Sequence, residues 1–160
     1  MRGSGRTVAL GDGLVVPYPD PVDECATKIG KANVRRDTRP ELLVRSTLHR
    51  RGLRFRKDYL IRSSSGVRVR ADVAFTRLKV AVFVDGCFWH ACPEHGTTPR
   101  RNQGYWLPKL KANVERDRRV DAALTADGWC VLRLWEHEEV SEAAARVEGV
   151  VLSLDQVSRS

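Results

Sequence analysis

The chain has 160 residues, 42% hydrophobic and 30% charged, a balance that suits one globular domain with its own core and excludes an extended low-complexity chain. No apolar run approaches the roughly 20 residues needed to cross a bilayer, and the N-terminus lacks the h-region of a secretory leader, so retention in the cytoplasm is the expectation. A net charge of +8, with the arginines grouped, points to a polyanionic partner, nucleic acid first.

Residues 1–24, rich in Gly and Pro and without periodicity, read as an N-terminal arm lacking fixed structure; 25–154 read as the folded domain and 155–160 as a tail. Residues 25–38 are basic and weakly helical. Asp37-Thr38-Arg39-Pro40-Glu41 is a helix start, with a capping residue ahead of a proline in the first turn, and Gly52 ends that helix. Three strands are predicted next: Arg54 to Leu60, Val67 to Phe75 after a Ser63-Ser64-Ser65-Gly66 turn, and Leu78 to Val84. A long helix follows from Trp106 to Ala126, stopped by Gly128. Trp129 to Trp135 is a fourth strand, and an amphipathic helix runs from Val140 to about Leu154. The order α-β-β-β-α-β-α implies helices around one mixed sheet.

Chemistry concentrates in Val80–His95, VAVFVDGCFWHACPEH, where a buried strand gives way to half of the cysteines and half of the histidines in the chain. Asp72 lies inside an apolar strand, where a lone carboxylate is costly. Hairpin pairing about Thr76-Arg77 would bring it near Asp85, an oxygen-rich place for Mg²⁺; the alternative is an ion pair with Arg70 or another arginine. His90 can serve as general base or acid near neutral pH. Cys92 and His95 form half of a tetrahedral zinc site. Asp117 and His137 are candidates for the rest, with Glu94, Cys87 and Glu136 competing, although Cys87 and Cys130 also suit small buried apolar sites. The Phe88-Trp89 pair is either core or an exposed wedge that unstacks bases.

From Arg35 to His137 the chain resembles the very short patch repair (Vsr) mismatch endonucleases of bacteria. The resemblance rests on Asp37-Thr38-Arg39-Pro40-Glu41, Arg70-Ala71-Asp72, Val84 through His90, Cys92 through His95, Asn113 through Arg119, and Gly128-Trp129 through His137. It implies a restriction-endonuclease-like (PD-(D/E)xK-type) fold, a central mixed sheet flanked by helices, with a structural zinc site. It also implies Mg²⁺-dependent nicking of duplex DNA 5′ of the thymine in a T:G mismatch, by a monomer acting near the nucleoid with other repair proteins. Asp72 matches the metal-binding aspartate, Val84 a residue whose carbonyl binds metal, His90 the catalytic histidine and Glu41 a carboxylate at the water shell of two Mg²⁺ ions. Asp85 stands where some members carry histidine, leaving it open as third carboxylate, hydrogen-bond partner or second metal ligand. Zinc falls to Cys92, His95, Asp117 and His137. Phe88 and Trp89 match the intercalating aromatics, and Ile29 lies beside the place where many members insert a methionine. Arg35, Arg36, Arg39, Arg100, Arg101 and Arg116 are the expected phosphate contacts. Competing readings are a sequence-specific nickase or defence nuclease on the same scaffold, and a catalytically inactive DNA-binding module.

Overall fold

The computed structural model describes residues 7–9, 15–17, 37–95, 100 and 102–159. Two short strands, β1 (Thr7–Ala9) and β2 (Val15–Pro17), pair antiparallel, with Val8 opposite Val16. The expected arm therefore contains a hairpin. Its strands are only three residues each, too short to give the periodic pattern that marks a strand in sequence.

The domain proper runs α1 (Arg39–Arg50), β3 (Arg56–Arg62), β4 (Arg68–Phe75), β5 (Val80–Asp85), α2 (Gln103–Ala126), β6 (Cys130–Trp135) and α3 (Val140–Val157). This is the expected element order. The sheet order is β3-β4-β5-β6; the first two pairings are antiparallel and β5-β6 is parallel. A parallel pair needs a crossover, and α2 supplies it between β5 and β6.

Each face of the sheet buries a separate core. On one side α1 and α3 bring Val44, Leu48, Ala143, Ala144, Val147 and Val151 onto Val73, Phe75, Val80, Val82 and Leu134. On the other, Val120 and Leu124 of α2 cover Ile61, Ala71, Ala74, Ala81 and Phe83. Alternation along β5 explains the division, since Val80 and Val82 point one way and Ala81 and Phe83 the other. Leu48, Leu124, Leu134, Val73, Val80, Val82 and Val147 are fully buried, each worth about 1.5–3 kcal/mol of transfer free energy.

The regular alternation breaks at Asp72. Val67, Val69 and Ala71 pack on the α2 side, whereas Val73 and Phe75 pack on the opposite side. The β3-β4 register steps from Tyr59↔Ala71 to Lys57↔Val73, passing over Asp58, which is held at φ 47°, and Asp72. The β4-β5 ladder likewise begins only at Val73↔Val82. An irregularity of this kind re-aims a side chain, and here it re-aims the carboxylate of Asp72.

Candidate active site and metal centre

Where β4 and β5 part, the Val84 backbone N–H donates to the Asp72 carboxylate at 2.7 Å. The side chain thereby takes up a donor that the ladder leaves over. Burial pushes the Asp72 carboxyl up to about 6 from 3.8; the Val84 bond and Arg45 oppose the rise, while the charges of Glu41 and Asp85 add to it. The ion pair between Asp72 and Arg70 does not form, because Arg70 bonds the backbone carbonyl of Asp58 at 2.9 Å and its carboxylate at 3.3 Å.

Helix α1 delivers Glu41 to the same place. This buried carboxylate accepts the Asp37 N–H and the Thr38 hydroxyl, both at 2.9 Å, so it also fastens the helix start. Arg45, one turn on, lies at 3.3 Å from Glu41 and donates to the Asp72 backbone carbonyl at 3.2 Å. Two carboxylates, Asp72 and Glu41, thus converge with Arg45 as the cation beside them. That excess of negative charge suits a hard divalent cation, which takes oxygen ligands. Asp72 would be its side-chain ligand, with the Val84 backbone beside it and Glu41 behind.

His90 lies on the loop after β5 and is positioned from α2. Its Nδ1 is 2.5 Å from Asp117 Oδ2 and 3.7 Å from Asp85 Oδ1. Burial would raise the Asp117 carboxyl, but the His90 hydrogen bond and the charges of His90, Arg133 and Arg116 together hold it below the usual range. With Nδ1 engaged by a carboxylate, Nε2 is the nitrogen left for proton transfer. Asp85 is buried and held by Arg133 Nη1 at 3.0 and 2.8 Å, one contact to each oxygen. The two aspartates do lie near one another, Asp72 within β4 and Asp85 at the end of β5, but Asp85 arrives already paired with a cation.

The sulfur and imidazole ligands gather separately. Donor atoms of Cys87, Cys92, His95 and His137 all lie within 4.8 Å of one another. Two thiols and two imidazoles are a zinc-type donor set. This grouping differs from the expected ligand set. Asp117 is absent from the group because its carboxylate is committed to His90, and Cys87 takes the fourth place. Cys87 Sγ is 3.0 Å from His137 Nδ1. Burial pushes the Cys87 thiol up to about 11, with the Cys92 thiol adding to the rise, so it is a bound cation that would favour the thiolate. Glu136 is not a competing ligand, since it accepts the Cys87 N–H at 2.7 Å; Glu94 approaches only the far nitrogen of His137, at 3.5 Å.

Phe88 and Trp89 are half-buried, between the core and exposed-wedge readings. Their ring centroids lie 5.1 Å apart, and Trp106 at the start of α2 packs 5.6 Å from Phe88 and 5.7 Å from Trp89. Tyr105 sits 5.0 Å from Trp106, and the Lys109 ammonium lies 5.1–5.5 Å from the Trp89, Tyr105 and Trp106 centroids. Asn113 donates to the Trp89 carbonyl at 3.1 Å and ties the loop to the helix. Sequence reading missed Trp106, Lys109 and Asn113. The spacing Trp106-Lys109-Asn113 at i, i+3 and i+7 was the available signal, since it places all three on one helical face. Arg39, Arg100 and Arg116 are exposed; Ile29, Arg35, Arg36 and Arg101 lie outside the described residues.

An α/β fold that gathers carboxylates where two central strands part, beside a His–Asp pair and exposed arginines, has the layout of a nuclease. Residues 23–94 match the family described as DNA mismatch endonuclease Vsr. The chain is 53% identical over 146 residues to the type II nicking enzyme V.NaeI of Lentzea aerocolonigenes, covering 91% of this chain and 86% of that protein. It is 39% identical to the type II nicking enzyme V.XorIIP of Xanthomonas oryzae pv. oryzae (72% and 84% covered). To the DNA mismatch endonuclease Vsr of Escherichia coli it is 34% identical (66% and 65% covered). The chain belongs to the Vsr endonuclease family, and its activity is that of a DNA endonuclease. Among the described residues no helix is long and apolar enough to cross a membrane.

Proposed function

We propose that the chain nicks duplex DNA on the 5′ side of the thymine in a T:G mismatch, in a Mg²⁺-dependent reaction that starts very short patch repair. The observation that carries this reading is the placement of Asp72, bonded to the Val84 N–H, and of the His90–Asp117 pair on the loop that follows β5, with Phe88 and Trp89 on the same loop. Bound at Asp72, Mg²⁺, expected as a pair of ions, would supply Lewis-acid stabilisation of the scissile phosphate and the leaving 3′ oxygen. Asp117 holds His90 through Nδ1 and stabilises the imidazolium that forms when Nε2 takes a proton from the attacking water. Glu41 keeps the α1 end of the site negative and in place through its bonds to Asp37 and Thr38.

Phe88 and Trp89 insert beside the mismatch, braced by Trp106, at a wobble pair where unstacking costs less than in a perfect duplex. Lys109 and the exposed arginines Arg39, Arg100 and Arg116 contact phosphates and make binding salt-dependent. Cys87, Cys92, His95 and His137 hold a structural zinc that fixes this loop to the end of β6.

A second reading is nicking set by flanking sequence rather than by the mismatch alone, which the likeness to V.NaeI favours. Incubation with matched T:A and C:G duplexes and a T:G duplex, each in varied flanks, separates the two. Cleavage confined to T:G supports the first; equal cleavage of a matched duplex overturns it. Asp72→Ala should abolish nicking and leave mismatch binding intact, and persisting cleavage would remove Asp72 from the mechanism.

A further inference from the structure

Arg133, on β6, is the only arginine or lysine among the described residues that reaches both Asp85 and Asp117. Its Nη1 binds Asp85 at 3.0 and 2.8 Å, and its Nε and Nη2 bind Asp121 at 2.8–3.1 Å. Nη2 is also 3.7 Å from Asp117 Oδ1, the oxygen not bonded to His90. The guanidinium carbon sits 4.9 Å from the Phe83 ring centroid, which packs the fork on its flat face. One planar cation therefore holds three carboxylates, from β5 and two successive turns of α2, around Nδ1 of His90.

Resting on the catalytic reading above, we propose that Arg133 is a positioning residue: it holds Asp85 out of the divalent-metal site and fixes the Asp117 carboxylate that orients His90. Asp85 is then a hydrogen-bonded anchor and not a metal ligand. Its two oxygens share Nη1 while Nε and Nη2 fork onto Asp121, so one planar group serves both carboxylates at once, which the single ammonium of a lysine would not reproduce. Without Arg133, Asp85, Asp117 and Asp121 would surround His90 with no shared counter-charge. That group would attract a divalent cation and pull His90 from its orientation.

The test uses Mn²⁺ titrated into the DNA-free protein, with unbound ion read by electron paramagnetic resonance, together with steady-state nicking. Asp85→Asn should bind Mn²⁺ as wild type does, because Asp85 contributes no ligand. Arg133→Met should bind Mn²⁺ at least about tenfold more tightly or take up an additional ion, and adding Asp85→Asn to it should cancel that gain. Arg133→Lys should lower kcat about tenfold with an unchanged KM for DNA. If Arg133→Met fails to fold, Asp85→Asn and Arg133→Lys still decide. A tenfold loss of Mn²⁺ affinity in Asp85→Asn would make Asp85 a ligand and overturn the proposal. So would a raised KM at constant kcat in Arg133→Lys, which would make Arg133 a DNA contact. Asp72→Asn is the control for the underlying reading: if it keeps the Mn²⁺ site, that reading fails, whereas its loss alongside a loss in Asp85→Asn sinks only the role of Arg133.

Discussion

Replacing Asp72 by Asn should make the Mg²⁺-free protein more stable while removing its activity. Asn preserves the shape and offers a carbonyl oxygen to the Val84 N–H, so the backbone contact at 2.7 Å survives. What disappears is a charge that the folded state disfavours. Burial, with Glu41 and Asp85 adding to it, holds the Asp72 carboxyl at about 6 against 3.8 in the unfolded chain. The folded state therefore binds this proton more tightly than the unfolded state does. The stabilisation from protonation is complete below pH 3.8 and is lost as the pH rises through about 6. A difference of this size corresponds to roughly 3 kcal/mol at ~1.4 kcal/mol per pH unit. Urea unfolding followed by tryptophan fluorescence, at several pH values from 4 to 8 in Mg²⁺-free buffer, measures it by the difference between the two proteins. Their stabilities should converge near pH 4 and separate by about 2–3 kcal/mol above pH 6.5, Asn the more stable. Added Mg²⁺ should stabilise only the wild type. Equal stabilities across the whole range, or a less stable Asn variant at pH 7.5, would refute the convergence of carboxylates on Asp72.

Three further outcomes follow from the geometry. Asp117→Asn should retain the full zinc content on metal analysis, while its nicking rate falls about 10²–10⁴-fold, because its side chain serves His90 and not the zinc group. Cys87→Ala and Cys92→Ala should each lose zinc; a Cys87→Ala protein that keeps one equivalent would restore the expectation built on Asp117. Leu48→Ala opens a void in the core under α1 and α3 and should cost about 2–5 kcal/mol in thermal or urea unfolding, with no change in the mismatch preference of the remaining folded enzyme.

The folded domain was legible because its strands and helices carry clear periods. Val80–Val84 alternates between two cores, and Pro40 and Gly52 bracket α1. The start of α2 was read at Trp106, where the helical apolar spacing begins; the helix in fact begins at Gln103 and carries Pro108 inside it. Pro108 is the sixth helical residue, so its missing N–H removes a single i→i−4 bond, to the Gly104 carbonyl near the start of the helix. Asp72 stood out as a carboxylate inside an apolar strand, and His90 as a histidine in the cluster that follows β5. The grouping of Cys87, rather than Asp117, with Cys92, His95 and His137 did not, since it depends on which side of the loop each donor faces, and spacing along the chain does not encode that. Arg133 was hidden for a related reason. In the run WCVLRLW it resembles one polar residue in a half-buried strand, and its meaning appears only when β6 lies parallel to β5, with Arg133 directly opposite Phe83 and two residues before Trp135 meets Asp85.

The most direct measurement is single-turnover nicking of end-labelled T:G, T:A and C:G duplexes in a common set of flanks, with Mg²⁺ present, comparing wild type with Asp72→Asn. Cuts 5′ of the mismatched thymine by the wild type alone are expected, with the Asn variant still bound to the T:G duplex but leaving it intact. Cleavage of the T:G duplex by Asp72→Asn, or equal cleavage of a matched duplex by the wild type, would contradict a mismatch nickase built on Asp72.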